Sequence, residues 1–336
     1  MQLERFPVEI SVLSSMALSQ YIKEMYFASS ASVACRLHYR SIHDTYRVVA
    51  DGTEYYLKVY RQGLRTKEEI EGETQLIDCL RRHGIETALP IQDKHGAHVS
   101  CFPTAEGERY GVLFTSVGAR FFSDAEETPE LNERLGESVA RIHQVWDAEN
   151  PPAVRTPLDV EPFIQRPMDH IRAFRELYEF DIDFLEDVAL RTASAIQSLS
   201  KDSPAYGFCH GDIYADNIRF NGNDMPLLFD FDFAGMGWRA YDVSLYAYGF
   251  GLGADQSKLE MRKRRLDAFF KGYQKHMSLS DEFLKSIPLF IPFRRIFNIG
   301  SLYIAMANVW GDNAALRSTR SDIETLKRWL ELNPVI

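Results

Sequence analysis

Residues 207–217 read GFCHGDIYADN, which sets His210, Asp212 and Asn217 in one short polar stretch. Thirteen residues beyond Asn217 stands Asp230, inside the apolar run LLFDFDFAGMG (227–237). Acidic and amide oxygens with water suit Mg²⁺, a hard cation that typically shares its shell with substrate phosphates. No cluster of Cys and His offers zinc an alternative. Asp212 and Asn217 are five positions apart, which would not place them on one helix face; in a loop they can converge. Asp230 follows Met225, Leu227, Leu228 and Phe229, a stretch that reads as a short strand, so its carboxylate is a candidate metal arm. The plainer alternative is a turn whose Asp and Asn side chains bond only to nearby backbone.

A second constellation lies upstream. YYLKVYR (55–61) puts Lys58 among alternating apolar residues of a strand, where an uncompensated ammonium would be costly. Either the side chain snorkels to solvent or it finds an anion. The following helix carries Glu68, Glu69, Glu71 and Glu73, and Glu73 shares a face with Ile70, Ile77 and Leu80. It is the residue best placed to turn inward and pair with Lys58. A strand Lys on the phosphates, a helix Glu holding it, and Mg²⁺ held by a loop Asn and a strand-end Asp make the arrangement a kinase needs.

The elements that must position these residues fall into two groups. A helix is expected over 8–28, then strands VACRLHY, TYRVVA and EYYLKVY across 33–60, with ADGTE as the tight turn between the last two. A helix over about 66–83 ends at His83-Gly84, and strands near 97–102 and 110–116 complete a mostly antiparallel sheet. Beyond about 118 the pattern is helical: 128–147, 159–180, 181–200, 255–276 and 281–333, interrupted near 206–233. The Pro-containing stretch 151–157 reads as a loop. This is an α+β plan: a small antiparallel β lobe with one inserted helix (1–116), then a larger helical lobe (117–336), with a cleft expected between them.

Composition narrows the class. The chain has 336 residues, 45% apolar and 26% charged, an ordinary globular balance. A net charge of −10 argues against a general nucleic-acid binder or a partner of anionic membranes. Cysteines 35, 79, 101 and 209 lie far apart, with no CxxC pair, and read as reduced, mostly buried thiols of a cytoplasmic protein. The opening MQLERFPVEISVLSSM has no secretory pattern, and no run of 18 apolar residues is available to span a membrane. Nothing in the pattern specifies an oligomeric state.

HGDIYADNIRF (210–220) resembles the HGD(L/I)HxxN(I/V)L catalytic loop of the aminoglycoside phosphotransferase and choline kinase group, the small-molecule branch of the protein-kinase-like fold. LFDFDFAGMG resembles that group's (I/V)IDF(D/E)xAxxG metal-binding stretch, YDVSLYAY (241–248) its xDLA helix start, and FTSVGARFF (114–122) its interlobe hinge. The segment 73–90 resembles its Glu-bearing helix. The likeness runs from about 33 to 310 and is nearest to bacterial stress-response and homoserine-kinase-like members. It implies a bilobal kinase moving the γ-phosphoryl group of ATP, with Mg²⁺, to a hydroxyl of a small-molecule acceptor. The alternatives are a Ser/Thr protein kinase of the stress-response type and a nucleotide-binding pseudokinase. By resemblance Asp212 is the catalytic residue, His210 braces its loop, and Asn217 and Asp230 hold Mg²⁺. Asp232 either joins the metal site or faces solvent, and Asp242 partners the loop. Lys58, positioned by Glu73, meets the α/β-phosphates, and the backbone of Thr115 to Val117 takes the adenine edge.

Two positions depart from the pattern. The turn RSIHDTYRV (40–48) has no glycine, so phosphate contacts there would come from Ser41 and backbone N–H groups. Tyr214 stands where the group often has His. Other features have two readings each. The acidic run EFDIDFLED (179–187) is either a polyamine pocket or a solvated helix face. MRKRR (261–265) is either an anion site or surface, and Trp238 and Trp310 either wall the acceptor site or pack in the core.

Overall fold

A computed structural model describes residues 6–118, 120–122, 128–177, 180–249 and 256–336, with the side chains of 248–249, 256–259, 261–262 and 310 left aside. The chain forms two compact units: Met1–Val117 with Pro151–Arg155, and Gly118–Asn150 with Thr156–Ile336.

In the first unit, α1 (Ser15–Tyr26) is capped by the Ser14 hydroxyl. The helix expected from residue 8 therefore begins later. The residues before it bond to the sheet instead: the Ser11 N–H and hydroxyl donate to Glu106, and Leu13 C=O accepts from the Tyr46 hydroxyl. Strands β1 (Val33–Arg40), β2 (Asp44–Ala50) and β3 (Thr53–Val59) form an antiparallel meander. Asp51 and Gly52, with φ of 48° and 82°, make the two-residue turn before β3, matching the strand twist as hairpin turns must. Then α2 (Lys67–Arg82) starts at a capping box in which Thr66 and Glu69 satisfy each other's backbone amides. β4 (Val99–Thr104) and β5 (Gly107–Thr115) complete a sheet of order β1-β2-β3-β5-β4. Leu18 and Ile22 of α1 pack on Cys35, Tyr46, Val48, Leu57, Val59, Phe102 and Leu113 to form the core. Residues 151–155 return to this unit, where the Arg155 guanidinium donates to the Glu69 carbonyl.

The second unit is helical around two small sheets. β6 (Arg120–Phe121) is followed by α3 (Pro129–Glu149), which begins at a Thr128 cap and ends at Asn150 in the left-handed region. The helix expected over 159–180 is shorter: a π turn at Glu161–Gln165 leads into α4 (Arg166–Ala173). After α5 (Ile182–Gln197) come β7 (Tyr206–Cys209), β8 (Ile218–Phe220), β9 (Pro226–Leu228) and β10 (Gly235–Trp238). β10 pairs with β7, and β8 lies between β6 and β9. Two glycines in four residues hide β10 from any reading by strand propensity. α6 (Arg239–Gly249) and α7 (Gln256–Tyr273) follow. The single helix expected over 281–333 is broken into α8 (Asp281–Ser286), α9 (Phe290–Phe297), α10 (Ala307–Trp310) and α11 (Asp312–Leu332). Pro288 sits in the first break, a π segment at Asn298–Ile304 in the second, and Gly311 with φ of 79° in the third. Among the described residues no helix is long and apolar enough to cross a membrane.

α3 and α7 approach closely because each carries a glycine at the contact. A Cβ on Gly136 would lie 2.0 Å from the Phe269 carbonyl oxygen, and one on Gly272 would lie 1.8 Å from that of Glu133. Neither oxygen can swing away without moving a helix. Gly136→Ala or Gly272→Ala is expected to destabilise the fold by about 1–3 kcal/mol, overpacking outweighing the gain in helix propensity. Urea denaturation of each variant measures this; a midpoint equal to wild type would show that the helices part without cost.

Candidate active site

The loop carrying Asp212 is held from behind by a buried carboxylate. Asp242, in the first turn of α6, is fully buried. Its Oδ2 accepts the His210 N–H at 2.7 Å, and its Oδ1 accepts the Gly211 N–H at 2.7 Å. His143 of α3 adds an Nε2 contact to Oδ2 at 2.9 Å, and its Nδ1 meets the Tyr273 hydroxyl at 2.9 Å. Burial holds His143 below its usual range, so the ring is neutral, with Nε2 donating. Burial alone would push Asp242 up, but the bonds from His143 and the loop outweigh it and keep the carboxyl low. Gly211 has φ of 81°, and a Cβ there would lie 2.2 Å from the Phe233 carbonyl oxygen. Only glycine fits between His210 and Asp212.

His210 braces the same loop. Its Nδ1 accepts the Asp212 N–H at 3.3 Å and its Nε2 donates to the Phe229 carbonyl at 3.2 Å, so both ring nitrogens are engaged. That tie joins the loop to the segment preceding Asp230. Asp212 is half-buried, and Asn217 converges on it as a loop residue can. The Asn217 amide nitrogen donates to Asp212 Oδ2 at 2.8 Å and to its carbonyl at 2.9 Å. Since the nitrogen is spent on Asp212, Oδ1 is the atom Asn217 can offer a cation. Asp230 is exposed and lies two residues past β9, with φ of 64°, a left-handed conformation that costs a non-glycine residue energy. Asp232 is 3% exposed, so the reading that it faces solvent falls away. An amide oxygen with one or two carboxylates is the hard-oxygen set that Mg²⁺ takes, and these residues fit that ion.

Sequence reasoning missed Arg294. Its Nη2 donates to Asp212 Oδ1 at 2.8 Å from α9, and the residue is 6% exposed. A signal existed: FIPFRRIF is an apolar helix with two internal arginines, and a buried guanidinium demands an anion for the same reason as Lys58. Burial is the largest influence on the Asp212 carboxyl and pushes it above the usual range; Arg294 pulls it back, and the Asp230 charge adds to the rise.

In the first unit, the Lys58 ammonium lies 3.4 Å from Glu73 Oε1, with the two residues 9% and 1% exposed. Glu73 Oε2 accepts the Tyr60 hydroxyl at 2.8 Å, which fixes the carboxylate. At the β1–β2 turn the Ser41 N–H is committed to the His43 carbonyl at 3.0 Å. His43 Nδ1 accepts the Arg61 N–H, and Asp44 is paired with Arg109 at 2.9 Å. The Ser41 N–H is thus removed from the groups that turn could offer a phosphate, while the Ser41 hydroxyl is left among them. The Thr115 N–H is likewise spent, on the Leu89 carbonyl at 2.9 Å, and Leu89 N–H returns a bond to the Thr115 hydroxyl. The adenine-edge expectation for Thr115 to Val117 therefore loses the Thr115 N–H and keeps the other peptide groups; Ala119 in the same segment lies outside the described residues.

The remaining expectations resolve toward packing and surface. Asp181 caps α5 and pairs with Lys327, Glu186 with Arg172 and Asp187 with Arg191, so the acidic run is a solvated, ion-paired face; Glu179 lies outside the described residues. Lys263 and Arg264 are exposed, while the Met261 and Arg262 side chains lie outside the described set. Trp238 is buried and donates to the Ser200 carbonyl at 3.0 Å, and the Trp310 side chain is not among those described. Cys35, Cys79 and Cys209 are buried, Cys101 is exposed, and all four are free thiols. The fold does what the cysteine spacing did not suggest: it gathers Cys209, His143 and Asp242. With both His143 nitrogens bonded and burial pushing the Cys209 thiol far up, this is a brace rather than a metal centre.

With this geometry, comparison is informative. The phosphotransferase enzyme family model matches residues 36–278. A protein of Deinococcus radiodurans is 30% identical over 298 residues, covering 88% of this chain and 84% of its own. A structure of the amicoumacin kinase hAmiN with AMP-PNP, Ca²⁺ and Ami superposes with a TM-score of 0.73 at 21% identity, covering 93% of each chain. A microcompartment-associated aminopropanol kinase gives 0.72 at 19% identity, over 96% of this chain and 99% of that one. The two structures speak to the fold, and the family match to the chemistry: this chain belongs to the phosphotransferase enzyme family and is a kinase of the aminoglycoside phosphotransferase type.

Proposed function

We propose that the protein transfers the γ-phosphoryl group of ATP to a hydroxyl of a small molecule, with Mg²⁺ as cofactor. The observation that carries this is the Asp212 carboxylate, each of whose oxygens is held by one donor, Asn217 Nδ2 on one side and Arg294 Nη2 on the other. A carboxylate so fixed still has lone pairs to meet an acceptor hydroxyl. An alcohol is too weak an acid to attack unaided, and a positioned base removes that obstacle.

Each residue then has a role. Asp212 orients the hydroxyl and takes its proton while the acceptor oxygen bonds to the γ-phosphorus, and ADP departs with the electrons of the broken P–O bond. Asn217 and Asp230 would hold Mg²⁺, with buried Asp232 as a further candidate; the ion supplies charge neutralisation to the phosphates. Lys58, held by Glu73, orders the α/β-phosphates, with the Ser41 hydroxyl as a second phosphate contact. The peptide groups near Val117 take the adenine. The AMP-PNP and Ca²⁺ named with the hAmiN structure support nucleotide use with a divalent ion, and the two neighbouring kinases support a small-molecule acceptor.

A panel of aminoglycosides, amino alcohols, nucleoside antibiotics and generic protein substrates, read by ATP consumption, tests the reading. Turnover with protein alone would move the protein into the protein-kinase class, and nucleotide binding with no turnover on any acceptor would make it a pseudokinase. Asp212→Asn is expected to lower the rate by roughly 10²–10⁴-fold, the usual worth of a positioned general base, with ADP affinity unchanged. Activity within a few-fold of wild type would remove Asp212 from catalysis. Asp230→Asn takes one charge from the metal shell, so activity should fall steeply and recover in part as Mg²⁺ is raised. An unchanged Mg²⁺ dependence would show that the ion is held elsewhere.

A further inference from the structure

Arg294 lies outside every motif of the loop. Its neighbour Arg295 is partly exposed and pairs with the buried Asp322 at 2.6 Å. Arg294 is different. Its Nη1 donates to the Tyr241 hydroxyl at 2.9 Å and to the Gly211 carbonyl at 3.4 Å, and its Nη2 donates to Asp212 Oδ1. The rings of Phe233, Phe297 and Tyr214 lie 5.1, 5.4 and 5.6 Å from its Cζ. An arginine taken out of water at this depth is expensive unless its charge is matched, and the anion facing it is Asp212.

The geometry says what such a match is for. A carboxylate on a single donor can still rotate about χ2, a broad and soft torsion. Asn217 alone would leave Asp212 that freedom. Arg294 adds a second donor on the opposite oxygen, from a rigid planar fork tied at its other end to Gly211 and Tyr241. Three points on the guanidinium thus relate the carboxylate plane to the backbone of its own loop. The fork donates to protein groups through both Nη atoms, so its part is played through Asp212.

We propose that Arg294 is a positioning residue for phosphoryl transfer, orienting the Asp212 carboxylate toward the acceptor hydroxyl without contributing to nucleotide binding. This rests on the catalytic reading of Asp212. In the transfer the hydroxyl proton passes to Asp212 as the new O–P bond forms and ADP leaves, and Arg294 stays protonated throughout.

The test uses the full chain with Mg²⁺ and ATP, water serving as the acceptor, and follows phosphate release. Arg294→Met is expected to lower kcat by up to about a hundredfold, the cost of a misplaced reacting group, with the KM for ATP and the affinity for ADP unchanged. Arg294→Lys keeps the charge and much of the stem but cannot reach all three partners, so it should restore part of kcat; it carries the test if the Met variant fails to fold. In an Asp212→Asn background either substitution should have little further effect, because a residue acting through Asp212 has nothing left to position. Equal kcat in wild type and both single variants overturns the proposal, as does a loss that multiplies in full on top of Asp212→Asn. If Asp212→Asn itself hydrolyses ATP at the wild-type rate, the failure belongs to the reading of Asp212 and not to Arg294.

Discussion

Asp242 is fully buried, and the backbone that leaves β7 supplies its hydrogen-bond donors. A fully buried carboxylate that accepts two consecutive amides fixes the direction in which the chain leaves β7. Everything downstream inherits that direction: Gly211 turns through its left-handed conformation, and Asp212 emerges facing Asn217 and Arg294. A neutral His143, itself held by Tyr273, keeps Asp242 from rotating. The acid on α6 and the ring on α3 are therefore part of how the loop is shaped.

Two buried cations are matched in different ways. Lys58 is a point charge on a flexible stem beside Glu73, which suits the phosphate-ordering role proposed for it. Arg294 is a planar fork with fixed donor directions, suited to holding one carboxylate still. Each pair is costly to break, since removal of one member leaves a charge with little water around it. The protein uses the ammonium on strand β3 and the guanidinium on helix α9, and an exchange of the two residue types would suit neither site.

The sequence was legible where the information was local. Lys58 and Glu73 are fifteen residues apart, and the strand alternation with the helix face already pointed them at each other. HGDIYADN announces a loop because its polar residues sit five positions apart between apolar stretches. The alternating strands, the Asp51-Gly52 turn and the Thr66 cap were equally readable, since each is decided by its own few residues. Arg294 reaches Asp212 across 82 positions, and His143 reaches Asp242 across 99. No short window contains both partners, and only the folded chain brings them together. Of the breaks in the final helical stretch, those at Pro288 and Gly311 carry a local sign; the middle one does not, because a π segment keeps an apolar pattern close to that of an α-helix while tertiary packing decides where the ladder slips.

Asp230 illustrates a tension in such a site. Its left-handed backbone is one that glycine adopts without strain, so Asp230→Gly would relieve up to about 1–2 kcal/mol of backbone cost while deleting the carboxylate. Selection for robustness alone would push this position toward glycine. If Asp230 holds the metal as proposed, a gain in melting temperature from Asp230→Gly would mark lost chemistry. On that assignment, libraries screened only for thermostability would enrich inactive proteins at this one codon, and a stabilised version of the enzyme should keep it fixed.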